Sequence, residues 1–215
     1  MRIAICDDSA LFRRGLALLL ADVGVQVVVE AADTCALFHA IRRDPPEAAI
    51  LDIRMPPTFT DEGLVAAARL GADHPDVGVL VLSTYAETAY VTQLLDARGH
   101  GVGYLLKDRV DDADALRDTL DRIVRGGVVI DFEVVGLLLA AQRRKQALDR
   151  LSPRERDVLA LMAEGRTNAA IGRRFHLSLR TVESHVAAIF DRLGLSAAED
   201  DNRRVLAVLK WLERG

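Results

Sequence analysis

Two periods of apolar residues alternate over the first 130 positions of the chain. Short runs rich in Val and Ile fall at Arg2–Cys6, Val25–Glu30, Ala48–Leu51, Val77–Leu82 and Val102–Leu106, with the length and branching of buried strands. Between them, Ala10–Ala21, Thr34–Arg43, Asp61–Ala72, Glu87–Arg98 and Asp111–Arg125 carry apolar residues at helical spacing. Five strand–helix units in succession predict an α/β half with a five-stranded parallel sheet covered by helices on both faces. Right-handed crossovers then favour the doubly wound order 2-1-3-4-5. Gly126-Gly127 closes this half, and Glu133–Gln146, running into Arg143-Arg144-Lys145, reads as a linker helix. From Leu151 the strand signal ends. Pro153 opens a helix to Ala163, with Ser152 as its N-cap and Glu155 placed for a capping box. Asn168–Phe175, Leu179–Leu193 and Asp201–Glu213 complete an all-α second half. The expected division is 1–127, a linker 128–150, and 151–215.

A chain of 215 residues is long enough for two cores, and 50% apolar with 28% charged residues is the composition of a globular protein. The start, MRIAICDDS, lacks the basic and apolar regions of a signal peptide. The longest apolar stretches, Leu16–Ala21 and Val134–Ala141, are too short to span a bilayer. The expectation is a cytoplasmic protein with no membrane partner. Charge divides the chain: residues 1–130 hold 13 Lys and Arg against 20 Asp and Glu, a net of −7, whereas 151–215 hold 11 against 9, a net of +2. Such asymmetry suggests two different tasks, though the basic excess is too small to argue nucleic-acid binding by itself. Cys6 and Cys35 have no partner cluster at metal-ligand spacing and are expected to pack in the interior.

Open parallel sheets bind ligands beyond the carboxyl ends of their strands. The residues ending the five strands are Asp7-Asp8, Asp52, Ser83-Thr84 and Lys107, with the second strand contributing none. Three carboxylates, a hydroxyl pair and one lysine thus meet in a small volume. Three clustered carboxylates repel one another, a conflict that a hard divalent cation with oxygen ligands removes, which describes Mg²⁺. One oxygen of Asp52 could then act as a nucleophile toward phosphorus, with the metal and Lys107 offsetting charge on the transferred phosphoryl oxygens.

The segments CDDS, LDIRMPP, LST and GYLLKD resemble the pockets of response-regulator receivers over about residues 1–125. The resemblance implies a flavodoxin-like fold with Asp52 as phosphoacceptor and Asp7 and Asp8 as the acidic pair for Mg²⁺. It also implies Arg54 as a backbone-carbonyl ligand, Lys107 as the pocket lysine, a switch hydroxyl and Tyr104 as the aromatic switch residue. The interval from Ser83-Thr84 to Lys107 is about two residues longer than the family's usual spacing, so either hydroxyl fits. Ser83 is preferred because it directly follows the strand run. A metal-dependent phosphohydrolase is disfavoured: its general acid belongs two residues after the nucleophile, where this chain has Arg54.

Val182, Val186, Ile189, Phe190 and Leu193 form one apolar stripe of a helix whose other face shows Arg180, Glu183, Ser184, Ala187 and Asp191. Ile171 and Phe175 mark a short helix just upstream, joined by the turn His176-Leu177-Ser178, which is helix-turn-helix spacing. Residues 151–195 resemble the LuxR-type DNA-binding domain nearly end to end. The two resemblances together place the chain in the NarL/LuxR group. They imply a recognition helix in which Glu183, Ser184 and Ala187 face base edges while Arg180 and Thr181 lie near the DNA backbone. The final helix, with Val205, Leu206, Leu209 and Leu212, would both cover the core and offer a dimer contact.

The expected protein is a two-component response regulator and transcription factor. A sensor histidine kinase phosphorylates Asp52, and this controls homodimerisation and binding to double-stranded promoter DNA. The receiver would support only its own Mg²⁺-dependent phosphotransfer and autodephosphorylation. The alternative is a phosphorylation-independent DNA-binding regulator whose receiver serves dimerisation alone.

Overall fold

The computed structural model describes residues 1–196 and 202–212. The chain divides into two compact units, the first Met1–Leu137 and the second from Leu138 onward.

In the first unit, strands β1 (Arg2–Cys6), β2 (Gln26–Ala31), β3 (Ala48–Asp52), β4 (Gly78–Ser83), β5 (Val102–Leu106) and β6 (Val128–Ile130) form one sheet in the order β2-β1-β3-β4-β5-β6. All pairings are parallel. β3 and β4 are buried at every position, as an apolar run covered on both faces should be, while β2 at the edge keeps partly exposed residues. Helices α1 (Ala10–Asp22), α2 (Thr34–Ile41), α3 (Glu62–Asp73), α4 (Thr88–Ala97) and α5 (Ala113–Val124) provide the crossovers. Side chains of Ser9, Asp33 and Asp112 cap α1, α2 and α5 by accepting from backbone amides of the first turn.

The sheet has six strands rather than the five expected, with the expected order extended by one. β6 is three residues long, below the usual run for a strand, and its Val-Val-Ile follows directly on the helix-ending glycines. Gly126 has φ +85°, which turns the chain back after α5 so that Val128 pairs beside Val102 and Ile130 beside Tyr104. Cys6 is buried as expected, but Cys35 is exposed, because α2 buries Leu37 and Ile41 and Cys35 lies off that stripe.

Helix α6 (Phe132–Asp149) is longer than the Glu133–Gln146 expected. The second unit then contains α7 (Pro153–Ala163), α8 (Asn168–Phe175), α9 (Leu179–Arg192) and α10 (Arg203–Leu212). The ends expected for the last helix, residues 201 and 213, lie outside the described residues. Val158, Leu159, Met162, Ile171, Val182, Val186 and Ile189 form its core, closed by Ala207 from α10. Ser152 and Glu155 make the anticipated capping box. Among the described residues, no helix is long and apolar enough to cross a membrane.

Candidate functional site

Strand register brings the carboxyl ends into line. Cys6 pairs beside Leu51, Asp52 beside Leu82, and Ser83 beside Leu106, so Asp7, Asp52, Ser83 and Lys107 meet along one edge of the sheet. The long interval between Ser83 and Lys107 does not disturb this alignment. Residues 84–87, α4, residues 98–101 and β5 lie between the two.

Asp7 and Asp52 are 2% and 7% exposed, and Asp8 is on the surface. One carboxylate oxygen from each of Asp7, Asp8 and Asp52 lies within 4.8 Å of the others, a group that could hold a metal ion. Lys107 donates to Asp7 Oδ2 at 2.7 Å and lies 2.9 Å from Asp52 Oδ1. The other oxygen of Asp7 accepts from the Ser9 amide at 2.8 Å, which ties the acid to the N-cap of α1. Burial, reinforced by repulsion from Asp7 and Asp8, raises the Asp52 pKa against the opposing pull of Lys107. For Lys107, burial favours the neutral form, but hydrogen bonds to Asp7 and Asp52 outweigh it and keep the pKa above the ordinary lysine value. The lysine also lies 4.7 Å from the centre of the Phe12 ring.

Ser83 is 5% exposed and ends β4, whereas Thr84 is on the surface. The Ser83 hydroxyl donates to the Tyr85 carbonyl at 2.8 Å and accepts from the Tyr85 amide at 3.2 Å. Tyr104 is fully buried, and its hydroxyl donates to the same Tyr85 carbonyl at 2.9 Å. One backbone oxygen therefore holds both side chains. Arg54, in the loop after β3, turns its guanidinium toward the start of α4. There it donates to Glu87 at 2.7 Å and to the Tyr90 hydroxyl at 3.4 Å. Gly63, in the first turn of α3, lies against the Asp52 backbone: a Cβ there would lie 1.9 Å from the Asp52 carbonyl oxygen.

Tyr85, Phe12 and Glu87 escaped the reading of the sequence. Tyr85 acts through its backbone, which no side-chain pattern reports. Phe12 and Glu87 reach the site only through the packing of α1 and α4.

In the second unit, Ser178 caps α9 by accepting from the Thr181 amide at 3.1 Å, and its hydroxyl lies 2.7 Å from that of Thr181. Val182, Val186 and Ile189 face the core, leaving Arg180, Thr181, Glu183, Ser184 and Ala187 exposed along α9. Arg192, at the other end of the helix, is turned inward onto buried Glu155. On α10, Val205, Leu209 and Leu212 are exposed at i, i+4 and i+7, while Ala207, Val208 and Trp211 pack inward.

Comparison with known proteins agrees with both halves. The response regulator receiver domain family matches residues 3–121, and the luxR family of bacterial regulatory proteins matches residues 149–200. The transcriptional regulatory protein DegU of Brevibacillus brevis is 31% identical over 235 aligned positions, covering 100% of this chain and 94% of its own length. The RcsB response regulator of Salmonella typhimurium has a similar structure, with a TM-score of 0.62 and 25% identity over 99% of this chain and 98% of that one. A structure of two RcsB dimers bound to two parallel DNAs is similar at a TM-score of 0.56, with 25% identity over 100% of this chain and 98% of that one.

Proposed function

The chain belongs to the response regulators that join a receiver to a LuxR-type DNA-binding domain, and from that membership we propose that phosphorylation of Asp52 controls its binding to promoter DNA. The observation that carries the reading is Lys107 bridging Asp7 and Asp52 at the end of the sheet.

The donor is the phosphohistidine of a sensor kinase. A carboxylate oxygen of Asp52 forms the new P–O bond as the P–N bond to the histidine breaks, and the departing imidazole takes up a proton. Asp7, Asp8 and Asp52, with the Arg54 backbone carbonyl, offer the hard oxygen donors that suit Mg²⁺, which would supply positive charge to the phosphoryl oxygens. Lys107 exchanges its Asp52 oxygen for one on the phosphoryl group, and Ser83 leaves the Tyr85 carbonyl to donate to another. Tyr104 shares that carbonyl, so the departure of Ser83 changes the acceptor that holds the ring. Water attack on phosphorus later breaks the P–O bond to Asp52, which releases inorganic phosphate and restores the carboxylate.

Residues 1–127 form the receiver, 128–150 the connection, which begins with β6 on the receiver's sheet, and 151–215 the DNA-binding part. Glu183, Ser184 and Ala187 meet base edges: Glu accepts from cytosine N4 and Ala packs on a thymine methyl. Arg180 and Thr181 lie at the phosphates. The exposed stripe Val205, Leu209 and Leu212 is the contact of an activated homodimer, which reads two half-sites in the cytoplasm.

The test is labelling with acetyl phosphate and Mg²⁺. Wild type takes up label, and Asp52→Asn takes up none; equal labelling of both overturns the assignment. Oligomeric state with and without beryllofluoride separates this reading from a constitutive regulator, in which nothing changes.

A further inference from the structure

The sixth strand adds a residue to the edge that holds the phosphorylation pocket. Asp131 follows β6, is 4% exposed, and its amide donates to the Tyr104 carbonyl at 2.9 Å. Its Oδ1 accepts from the Glu133 amide at 2.9 Å, which seats the first turn of α6. Across from it stands Arg109, the last residue of the 3-10 turn Lys107–Arg109. Its Nε lies 4.0 Å from Asp131 Oδ2, its Nη2 lies 3.6 Å from the Glu133 carboxylate, and its guanidinium lies 4.9 Å from the centre of the Phe132 ring. One side chain, two residues beyond the pocket lysine, therefore lies against Asp131, just before α6, and against Phe132 and Glu133, its first two residues.

We propose that Arg109 is a positioning residue that carries the phosphorylation state of Asp52 to the start of α6. The inference rests on the phosphorylation reading above. Lys107 is bound to Asp7 and Asp52, and it must re-pair when a phosphoryl group occupies Asp52. A 3-10 turn advances about 2 Å per residue and has little slack, so a displacement of Lys107 reaches Arg109 directly. The β5–β6 pairing meanwhile holds Asp131 beside Tyr104, so the two sides of the contact respond to different parts of the pocket. The contacts are suited to switching. The ion pairs to Glu133 and Asp131 lie at 3.6 and 4.0 Å, near the limit of such interactions; Asp108 stands 4.0 Å from the same Nε as an alternative partner, and Arg109 is 43% exposed. A small shift either tightens or releases them. Asp131, being buried, has a reason to follow the arginine: no other Lys or Arg lies within ion-pair distance of it among the described residues.

The experiment uses the full chain with Mg²⁺, with and without beryllofluoride, and reads amide hydrogen exchange over residues 131–137. Acetyl-phosphate labelling of Asp52 is followed in parallel. Wild type should change its exchange over this segment roughly tenfold when the mimic binds, the size expected if two weak ion pairs and one cation–π contact are rearranged. Arg109→Ala should label at the wild-type rate yet show less than about a twofold response to the mimic. Arg109→Lys retains the charge but not the planar fork, and should respond to an intermediate degree. If Arg109→Ala raises exchange equally in both states and keeps the wild-type response, the arginine only braces the helix and the proposal is overturned. Failure of wild type to label at all would instead overturn the phosphorylation reading on which it stands.

Discussion

Ser83 and Tyr104 share one acceptor, the Tyr85 carbonyl, whereas Thr84 is exposed to solvent. Ser83→Ala removes the buried hydroxyl available to a phosphoryl oxygen, and the steady-state label from acetyl phosphate should fall about tenfold, the worth of one hydrogen bond to a charged group. Thr84→Ala should stay within about twofold, since an exposed hydroxyl exchanges its partners with water. The reverse pattern would reassign the switch. A second prediction concerns Glu62, whose carboxylate accepts from the Thr58 hydroxyl and from the amides of Thr58 and Thr60. Partial burial works to raise its pKa, but these hydrogen bonds prevail and lower it to about 2. A depressed carboxyl pKa stabilises the fold above the unfolded value, 4.5, and loses that contribution as pH falls toward about 2. The difference in unfolding free energy between wild type and Glu62→Gln should therefore be present at neutral pH, about 1 kcal/mol after solvent screening, begin to fade below pH 4.5 and disappear as pH falls to about 2. The strand-end residues were legible in the sequence because the position where a ligand meets a parallel sheet follows from topology. Glu62 was not: its role depends on a loop conformation that places two threonine amides around one carboxylate.

At the level of elements, long periodic segments could be read and short ones could not. The five crossover helices and five strands declare themselves by period, with ends that differ by one or two residues where caps decide the boundary. β6 is too short to show a period of its own and exists because β5 offers it a ladder. Its absence from the sequence reading hid Asp131 as a strand-end residue, although Val-Val-Ile-Asp after a glycine pair is the same signal as Ala-Ile-Cys-Asp at the end of β1. Close approach of elements is equally silent in sequence. Gly63 sets how near α3 comes to Asp52, and a methyl group there would lie 1.9 Å from a backbone oxygen that cannot rotate away. Gly63→Ala should push α3 off β3, costing about 3 kcal/mol in denaturant unfolding. It should also slow labelling of Asp52 more than Gly15→Ala, where the added Cβ meets nothing within 4 Å. Equal behaviour of the two variants would show that the loop after β3 can relax without moving the nucleophile.

For the whole molecule the question is how a chain of net charge −4 holds DNA. Several arginines of the second unit are already engaged. Arg192 pairs with Glu155, Arg204 donates to Asn168 and to the Arg166 carbonyl, and Arg203 stacks on Phe190. Among the described residues of α8 and α9, the exposed arginines that carry no acidic partner are Arg173, Arg174 and Arg180. If each neutralises one phosphate, a single copy releases about three counterions, and log affinity should fall with log salt at a slope near −3. A dimer that seats two recognition helices should double this to about −5 or −6, because each copy brings its own phosphate contacts. The steepening is a direct readout of dimerisation on DNA, and it should appear only when beryllofluoride and Mg²⁺ are present and Asp52 is intact. Measuring affinity for a duplex between 50 and about 200 mM salt, with and without the mimic, checks it. A slope that is already steep without the mimic would mean that the receiver does not gate pairing. A slope that stays near −3 with the mimic bound would mean that one copy reads DNA alone, using base contacts from Glu183, Ser184 and Ala187 in place of charge.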